Sequence, residues 1–288
     1  MRDEQDRNAL HDALAQHRRA QKERGETPPL ISLARTHQLA KEAGCSLREV
    51  ELLALQMHVL PERYQRNLGT VGWDGQAQLL QATVAVVGAG GLGGWVIETL
   101  ARMGIGHLIL IDGDRFEENN LNRQLGCTED TIGEAKVTCL AERVAKINAA
   151  VEVTEKETWL DEDNAKDLIA DAKVVVDALD TVPTRLILQE AAAALQIPLV
   201  HGAIAGYTGE ITTIFPGDLG LEAIYGQQPS SERGIETELG NPSATPMMVS
   251  AWQAQEVVKI LLEQGEVLRH RMLLFDALAG DVTEIELA

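Results

Sequence analysis

A cluster of glycines has the spacing of a nucleotide-binding loop. Gly88, Gly90 and Gly93 form a G-x-G-x-x-G motif, with Gly91 inside it, directly after the apolar stretch 83–87. In such a motif the first glycine makes the turn, the second lets the backbone approach a phosphate, and the third lets helix and strand pack closely. The amino terminus of the following helix points its free amides at an anion. The cluster therefore predicts a nucleotide site.

An acidic residue ends the next apolar run, where a bound nucleotide would place its ribose. Asp112 follows the stretch 107–111, and a carboxylate in this position accepts hydrogen bonds from ribose hydroxyls. A glycine-rich turn with a purely structural aspartate is the alternative interpretation. The order of strand, helix, second strand and acid favours nucleotide binding, although the motif alone does not separate NAD from ATP.

Polar and cationic side chains behind this acid favour ATP. Asn120, Arg123, Gln124 and Lys136 all follow the same strand end. A hydride-transfer site needs apolar room for a nicotinamide, whereas nucleotidyl transfer needs Arg and Lys to neutralise the triphosphate and the transition state. Taken singly, Lys136 could be a solvated helix residue and Arg123 a surface ion pair. Together on one rim, they predict a triphosphate site.

Two carboxylates follow a later apolar run. Asp177 and Asp180 lie in the stretch VVVDALDTVPTR, at the expected carboxyl end of another strand. Ligands of open α/β sheets bind outside the carboxyl ends of the strands. Mg²⁺ is usually held by one or two carboxylates together with phosphate oxygens. This position therefore suits a magnesium ion that accompanies ATP.

These residues require alternating strands and helices to bring them to one edge. Apolar and periodic patterns predict strands at 83–87, 107–111, 151–154, 174–178 and 198–201, and helices at 92–103, 134–148, 163–170 and 182–195. This order predicts an α/β fold with a doubly wound, Rossmann-like parallel sheet. Later strands are expected at 210–215, 271–275 and 282–287, with one long helix at 245–262. Residues 216–246 are rich in Gly, Pro, Ser and Glu, and predict a mobile loop.

The first 60 residues predict a helical extension. A helix at 33–43 is expected to end at Gly44, and Ser46 to Glu49 has the spacing of a capping box for the next helix. Pro61 is expected to end that helix. The spacing also resembles a helix-turn-helix DNA reader, but acidic residues flank Arg48 and would repel phosphates. An ordinary pair of packed helices is the favoured interpretation.

Composition narrows the class of protein. The 288 residues carry a formal net charge of −19, which argues against general affinity for nucleic acid or anionic membranes. No apolar stretch is long enough to span a membrane, and the amino terminus lacks a signal-peptide pattern, so we expect a soluble, cytoplasmic protein. Three cysteines without a CxxC pair are too few for a disulfide framework.

The motifs together resemble the ThiF/MoeB/HesA family, bacterial relatives of ubiquitin-activating enzymes. The stretches RYQRN, GAGGLG, LIDGD with NNLNRQ, IGEAK, DALDTVPTR and VHGAIAGYTGEIT occur in the family's order and near its spacing. The resemblance covers about residues 62–287. The helical extension at 1–60 lies outside it. For residues 61–288 the resemblance implies an ATP-binding adenylation domain, whose parallel sheet is extended by antiparallel strands.

The resemblance also implies an activity, cofactors and partners. Family members are homodimers that use Mg-ATP to adenylate the C-terminal Gly-Gly carboxylate of a ubiquitin-like sulfur carrier. Such carriers serve thiamine, molybdopterin or tungstopterin synthesis, and a separate sulfurtransferase is a further expected partner. A related activity is activation of a short peptide's C-terminal carboxyl group. Two other functions are the alternatives to this activity. One is an NAD-dependent oxidoreductase, and the other is a non-catalytic nucleotide-binding adaptor with a helix-turn-helix-like amino terminus.

Site residues carry over by position. Gly91 would approach the phosphates within the loop formed by Gly88, Gly90 and Gly93, and Asp112 would bind the ribose. The expected nucleotide ligands behind them are Asn119, Asn120, Arg123, Gln124, Lys136, Asp180 and Thr181. Asp180 would also bind magnesium, and Arg66 would reach ATP in the neighbouring subunit. The catalytic set is therefore Arg66, Arg123, Lys136 and Asp180.

The chain departs from the family at its cysteines. Many members carry two CxxC pairs that bind zinc, and several carry a loop cysteine that forms a thioester or persulfide. The corresponding stretches here, AIYGQQPSS, DVTEIELA and SSERGIETELGNPS, contain no cysteine. We therefore expect no zinc. Adenylation itself needs no thiol, whereas a covalent transfer step would need one.

Overall fold

The amino-terminal helices share their own apolar core. The structure, a computed structural model of the chain, describes residues 2–25, 27–226 and 236–287. The first helices are α1 (Arg2–Glu23), α2 (Leu33–Ala43) and α3 (Leu47–Gln56). Leu14, Val50 and Ala54 are fully buried in the cluster formed by these helices. This burial confirms a helical amino-terminal segment.

The turn between α2 and α3 agrees with its sequence signals, but the end of α3 does not. Gly44 is left-handed, with φ of 63°, and both hydrogen bonds of the Ser46–Glu49 capping box are present. The prediction that Pro61 ends α3 is wrong, because the helix already stops at Gln56. His58 adopts a left-handed φ of 56° just beyond the helix, which turns the chain before the proline is reached.

A short strand pair joins this segment to the rest of the chain. Strand β1 (Leu30–Ile31) runs parallel to β2 (Leu60–Pro61). A single 3₁₀ turn (Glu62–Tyr64) then leads into α4 (Leu68–Gln81), which is kinked at Gly72. The division into two domains at residue 60 stays a prediction.

A single mixed sheet of eight strands positions the site. The remaining strands and helices follow along the chain as β3 (Thr83–Val87), α5 (Gly91–Met103), β4 (His107–Ile111), α6 (Lys136–Ile147), β5 (Glu152–Lys156), α7 (Ala165–Ile169), β6 (Val174–Asp177), α8 (Val182–Ala194), β7 (Leu199–Ala205), β8 (Thr208–Ile214), α9 (Glu222–Tyr225), α10 (Glu236–Leu239), α11 (Ala244–Leu262), β9 (Arg271–Asp276) and β10 (Asp281–Glu286). Their order across the sheet is β5-β4-β3-β6-β7-β8-β9-β10. The first five strands in this order are parallel, and β8, β9 and β10 extend the sheet with antiparallel pairings.

The central strands are buried on both faces, as their unbroken apolar sequences require. Val84 and Val86 of β3 face one core, with α5, α6 and α11. Ala85 and Val87 face the other, with α7 and α8. The fold prediction is therefore confirmed.

No helix among the described residues is both long and apolar enough to cross a membrane.

The predicted mobile loop at 216–246 contains two short helices, α9 and α10. Residues 227–235 of this loop lie outside the described part of the chain.

The glycine loop allows α5 to begin directly beyond β3. Gly88 has a φ of 94°, and a Cβ there would lie 2.4 Å from the carbonyl oxygen of Ala178. A Cβ on Gly93 would lie 1.8 Å from the carbonyl oxygen of Gly88. Neither position has room for a side chain, since backbone atoms occupy the space. These contacts account for the first and third glycines of the motif.

We predict that Gly93→Ala and Gly94→Ala differ sharply although the residues are neighbours. The Gly93 variant forces the loop away from α5 and should lower the free energy of unfolding by about 1–3 kcal/mol or more. At Gly94 a Cβ would lie 3.4 Å from Leu125 Cβ, an ordinary contact, so this variant serves as the control. Urea unfolding measures both, and equal stability of the two variants would contradict the packing described.

Candidate active site

The site lies where the chain order across the sheet reverses. From β3 the chain moves outward through β4 to β5, and then returns to the other side of β3 to form β6. The loops after β3 and β6 therefore diverge and open a crevice at the carboxyl edge, where open α/β sheets bind ligands. Gly88 and Ala178 begin these two loops. All the predicted nucleotide ligands except Arg66 follow strands that end at this edge or begin the helices beside it.

The amino terminus of α5 has unpaired backbone donors. Its N-cap residue is Gly90, and no side chain caps the helix. The first N–H groups of an uncapped helix carry partial positive charge and accept an anion. A Cβ on Gly90 would lie 3.5 Å from Gln124 Nε2, and a Cβ on Gly91 would lie 3.7 Å from both Arg123 and Pro246, so these two glycines meet only ordinary side-chain contacts.

Gln124 supports the presence of a ligand at this loop. Its side chain is 7% exposed, and its Oε1 has no hydrogen-bond partner among the described residues. A buried polar atom normally has a partner. The unsatisfied atom is an acceptor, so it fits a ligand group that donates a hydrogen bond, such as a nucleoside hydroxyl.

Asp112 is held rigidly beside the glycine loop. Its Oδ2 accepts a hydrogen bond of 2.6 Å from the Ala89 N–H, and its Oδ1 accepts one of 2.7 Å from the Asp114 N–H. Each carboxylate oxygen can accept a further bond. The carboxylate therefore has a fixed orientation and remaining capacity for a ribose hydroxyl.

The NNLNRQ segment forms a tight hydrogen-bonded turn. The Asn120 side chain is buried, accepts from the Glu117 N–H at 3.0 Å and donates to Asn119 Oδ1 at 2.6 Å. Arg123 Nη1 donates to the Asn119 carbonyl at 2.9 Å and to Asn122 Oδ1 at 2.8 Å. The guanidinium is thus held near the first turn of α5. It is not merely a surface ion pair.

Lys136 is buried and not a solvated helix residue. Its side chain is 7% exposed, and its Nζ lies 2.9 Å from Asp114 Oδ2. The backbone N–H of Lys136 also donates to the Asp114 carbonyl, at 3.0 Å. Because Asp114 in turn bonds to Asp112, the ammonium group is connected to the glycine loop. A buried ammonium needs such a partner.

The two aspartates after β6 differ in what they can do. Asp180 is exposed and makes no ion pair or side-chain hydrogen bond within the described parts of the chain. Thr181, beside it, exchanges a hydrogen bond of 2.7 Å with the Thr184 hydroxyl. The suggestion that Asp177 faces the ligand is wrong, because this side chain is fully buried and its Oδ2 lies 2.7 Å from His201 Nδ1.

A buried network explains the position of Asp177. Tyr225 OH donates to Glu210 at 2.6 Å and accepts from Arg185 at 2.8 Å, and it lies 3.1 Å from His201 Nε2. Burial acts to lower the pKa of His201, but its bonds to Asp177 and Glu210 raise that pKa overall. A protonated imidazole between two carboxylates fits this geometry, so the network is a structural support for the loop after β6.

Arg66 lies at the other end of α5 from the glycine loop. Its near neighbours are connected to the carboxyl end of that helix. Tyr64 packs against Gly104, and Asn67 donates to Gln76, which donates to the Met103 carbonyl at 2.9 Å. The 13 residues of α5 span roughly 20 Å at a rise of about 1.5 Å each. That distance is too great for an arginine side chain. The structure therefore does not bring Arg66 to the glycine loop of the same chain.

Two residues at the site were missed from the sequence. Asp114, two residues after Asp112, pairs with Lys136, and the D-G-D stretch could have suggested it. Trp159 follows β5 and covers Gly113, where a Cβ would lie 2.8 Å from the indole. The indole is 65% exposed beside the predicted ribose position. No local sequence signal marks Trp159, because its place depends on the pairing of β4 with β5.

Comparison with known proteins gives a consistent result. The ThiF family profile matches residues 64–288. The SAMP-activating enzyme E1 of Haloferax volcanii is 38% identical over 222 residues, 75% of this chain and 82% of that protein. The sulfur carrier protein adenylyltransferase of Thermus thermophilus is 34% identical over 233 residues, 78% of this chain and 86% of that protein.

A longer relative and a solved structure extend the comparison. The maize adenylyltransferase and sulfurtransferase MOCS3-2 is 36% identical over 238 residues, 78% of this chain, which spans about half (48%) of its length. The crystal structure of Escherichia coli MccB with ATP superposes with a TM-score of 0.68 at 23% identity, covering 79% of this chain and 72% of that one. That likeness supports the fold. With the profile match over most of its length and relatives above 30% identity, the chain belongs to the ThiF family.

Proposed function

We propose that this chain is a cytoplasmic adenylyltransferase that uses ATP to activate the C-terminal Gly-Gly carboxylate of a ubiquitin-like sulfur carrier. The observation that carries the proposal is the uncapped amino terminus of α5 with Arg123 beside it and Lys136 connected to its loop. The names of the archaeal and Thermus relatives support the same activity.

Each proposed ligand has a place in this arrangement. The amides of Gly91 and its neighbours, with Arg123 and Lys136, would hold the triphosphate. Asn119, Asn120 and Gln124 would supply polar contacts around it. Asp112 would accept from the ribose, and the adjacent indole of Trp159 would offer the base a flat apolar surface. The orientation of Asp112 and the uncapped amino terminus of α5 support this placement.

The cationic side chains of Arg123 and Lys136 would reduce the electrostatic repulsion between the two reactants. A carboxylate oxygen attacks the α-phosphorus of ATP, the bond from that phosphorus to the bridging oxygen breaks, and pyrophosphate leaves. Both reactants are anions, so their repulsion must be screened in a site that excludes water. Arg123 and Lys136 would neutralise the charge that develops on the leaving pyrophosphate. No residue needs to accept a proton, because the carboxylate is already ionised.

Asp180 would hold the magnesium ion, and Thr181 beside it would be a nucleotide ligand. Magnesium accepts one or two carboxylates together with phosphate oxygens, and would supply further neutralisation of the phosphates. Asp180 supports this role because its carboxylate is exposed at the crevice and has no ion-pair partner in the described chain.

ATP–pyrophosphate exchange tests the proposal. With Mg²⁺ and the Gly-Gly-ending ubiquitin-like protein of the same genome, the wild-type chain should catalyse exchange. Lys136→Ala should lower the rate roughly 10²–10³-fold, because one preorganised cation is lost. Lys146→Ala is the control, since Lys146 lies on the same helix with an 80% exposed side chain. Absence of exchange in the wild type, with NAD bound more tightly than ATP, would favour an oxidoreductase. No exchange without NAD binding would favour an adaptor.

DNA recognition by the extension receives no support. Arg48, at the start of the second helix of the helix-turn-helix-like pair, forms an ion pair of 3.0 Å with Glu152 of β5. It also lies 3.4 Å from the Gly106 carbonyl. A side chain directed at the sheet is not available to read bases. We therefore propose no nucleic-acid or membrane partner.

We further propose a homodimer in which Arg66 completes the ATP site of the neighbouring subunit. Its distance from its own glycine loop supports a role in trans. Its side chain is exposed and makes no ion pair with a described residue.

Mixing two inactive variants tests this arrangement. Arg66→Ala and Asp180→Ala should each abolish most of the exchange. Random mixing should then restore about a quarter of the wild-type rate, because half of the dimers are mixed and each holds one complete site. Subunit exchange can be followed with two affinity tags. Mixed dimers that form but stay inactive would contradict the trans assignment.

The cysteines do not favour a covalent step. Cys127 lies near the cations and is buried, and burial raises the pKa of its thiol although Lys136 and Arg123 oppose this. Burial also raises the pKa of Cys45 and Cys139. A thiol is a weak nucleophile when it is protonated. Sulfur would therefore reach the acyl adenylate from a separate sulfurtransferase or another sulfide source.

We predict that a chain with all three cysteines changed to serine keeps carrier-dependent exchange. The physical reason is that adenylation needs no thiol. Elemental analysis should also find no stoichiometric zinc, since structural zinc requires about four Cys or His ligands. A trapped thioester on Cys127, or loss of exchange in a folded variant, would overturn this prediction.

A further inference from the structure

A buried charged cluster joins the amino-terminal helices to the segment that carries Arg66. Glu51 of α3 is 1% exposed, and its Oε1 lies 3.3 Å from Arg63 Nε. Arg63 Nη1 donates to Asn148 Oδ1, and Asn148 Nδ2 donates to Tyr64 OH at 2.9 Å. Four side chains from three parts of the chain thus meet in one place, and two of them belong to the RYQRN stretch.

The cluster holds its members tightly. Burial raises the pKa of Glu51, and the charge of Arg63 opposes this shift. A buried carboxylate that loses its cation, or the reverse, is left with an uncompensated charge, which is strongly unfavourable. Asn148 also donates to the Ala101 carbonyl at 3.1 Å, which ties the cluster to the carboxyl end of α5. The position of Arg63 therefore depends on Glu51.

The residues on each side of Arg66 are held by packing and hydrogen bonds, whereas Arg66 itself is exposed. Tyr64 is fully buried, and a Cβ on Gly104 would lie 2.6 Å from its ring. Asn67 donates to Gln76 Oε1 at 3.0 Å. Between these two, Gln65 and Arg66 are exposed. A side chain shown from so constrained a backbone has a defined direction, which is what a group acting on another molecule requires.

We propose that Glu51 is a positioning residue for Arg66, so that the amino-terminal extension of one subunit sets the adenylation rate of the other. The proposal rests on the proposed role of Arg66 in the neighbouring ATP site. It gives the extension a function beyond stability, although Glu51 contacts neither nucleotide nor carrier. The alternative is that Glu51 only stabilises its own subunit.

A second contact between the extension and the sheet provides the control. Arg48 pairs with Glu152 at 3.0 Å, on the edge strand β5. Glu152 is exposed, and the RYQRN segment is not part of this pair. Glu152→Gln therefore removes one ion pair of the extension without touching the cluster. It should leave the exchange rate unchanged.

Subunit mixing separates the two interpretations. Glu51→Ala should lower exchange roughly 10- to 100-fold, as a small misplacement of a reacting group does. Because the defect lies in the group given to the partner, mixing with Asp180→Ala subunits should restore activity, and mixing with Arg66→Ala subunits should not. Glu51→Gln, which keeps the shape and loses the charge, should show the same pattern with a smaller loss, and it serves if the alanine variant does not fold.

Other results would overturn the proposal. Suppose that Glu51→Ala subunits regain exchange activity when mixed with Arg66→Ala subunits but not when mixed with Asp180→Ala subunits. That result would show that Glu51 acts on the nucleotide groove of its own subunit. Wild-type exchange in a folded Glu51 variant would show that the cluster positions nothing. The mixture of Arg66→Ala with Asp180→Ala is the reference. If that mixture is inactive, the trans role of Arg66 is itself wrong and this proposal falls with it. If the reference mixture is active but Glu51→Ala subunits are not restored by Asp180→Ala subunits, only the present proposal is overturned.

Discussion

The carboxyl edge of the sheet depends on the contact between Gly93 of α5 and the carbonyl of Gly88. Because no side chain separates them, the helix begins directly beyond β3 and its first amides face the crevice. The helix terminus brings partial positive charge to that point without a mobile side chain. Asp112 accepts a hydrogen bond from Ala89 in the same loop, so this carboxylate is placed beside that charge.

The aspartates near the crevice differ in the groups that they bond to. Asp177 is enclosed with His201, Asp112 is bound by two backbone amides, and Asp114 is paired with Lys136. Of these acids and Asp180, only Asp180 has no such partner in the described chain. Pairing lowers the cost of holding several carboxylates close together, and it leaves the carboxylate of Asp180 exposed.

Local signals could be predicted from the sequence, whereas side-chain partners could not. The capping box and the glycine cap at Gly44 depend on neighbouring residues, and both were confirmed. The end of α3 was misplaced because His58, a residue with no strong turn preference, adopts a left-handed conformation. Lys136 and Asp177 lie at the predicted edge, but their burial comes from residues far apart in the chain. The roles of the site residues remain predictions.

The exposed indole of Trp159 gives the chain an intrinsic optical reporter. Indole emission shifts to shorter wavelength when the ring leaves water, and 65% of this side chain is exposed beside Asp112. Trp73 and Trp95 are partly buried, and Trp252, on helix α11, is 39% exposed. A molecule that covers Gly113 and the ring would change mainly one of the four emitters. Occupancy of this end of the crevice could therefore be followed in unlabelled protein, in real time.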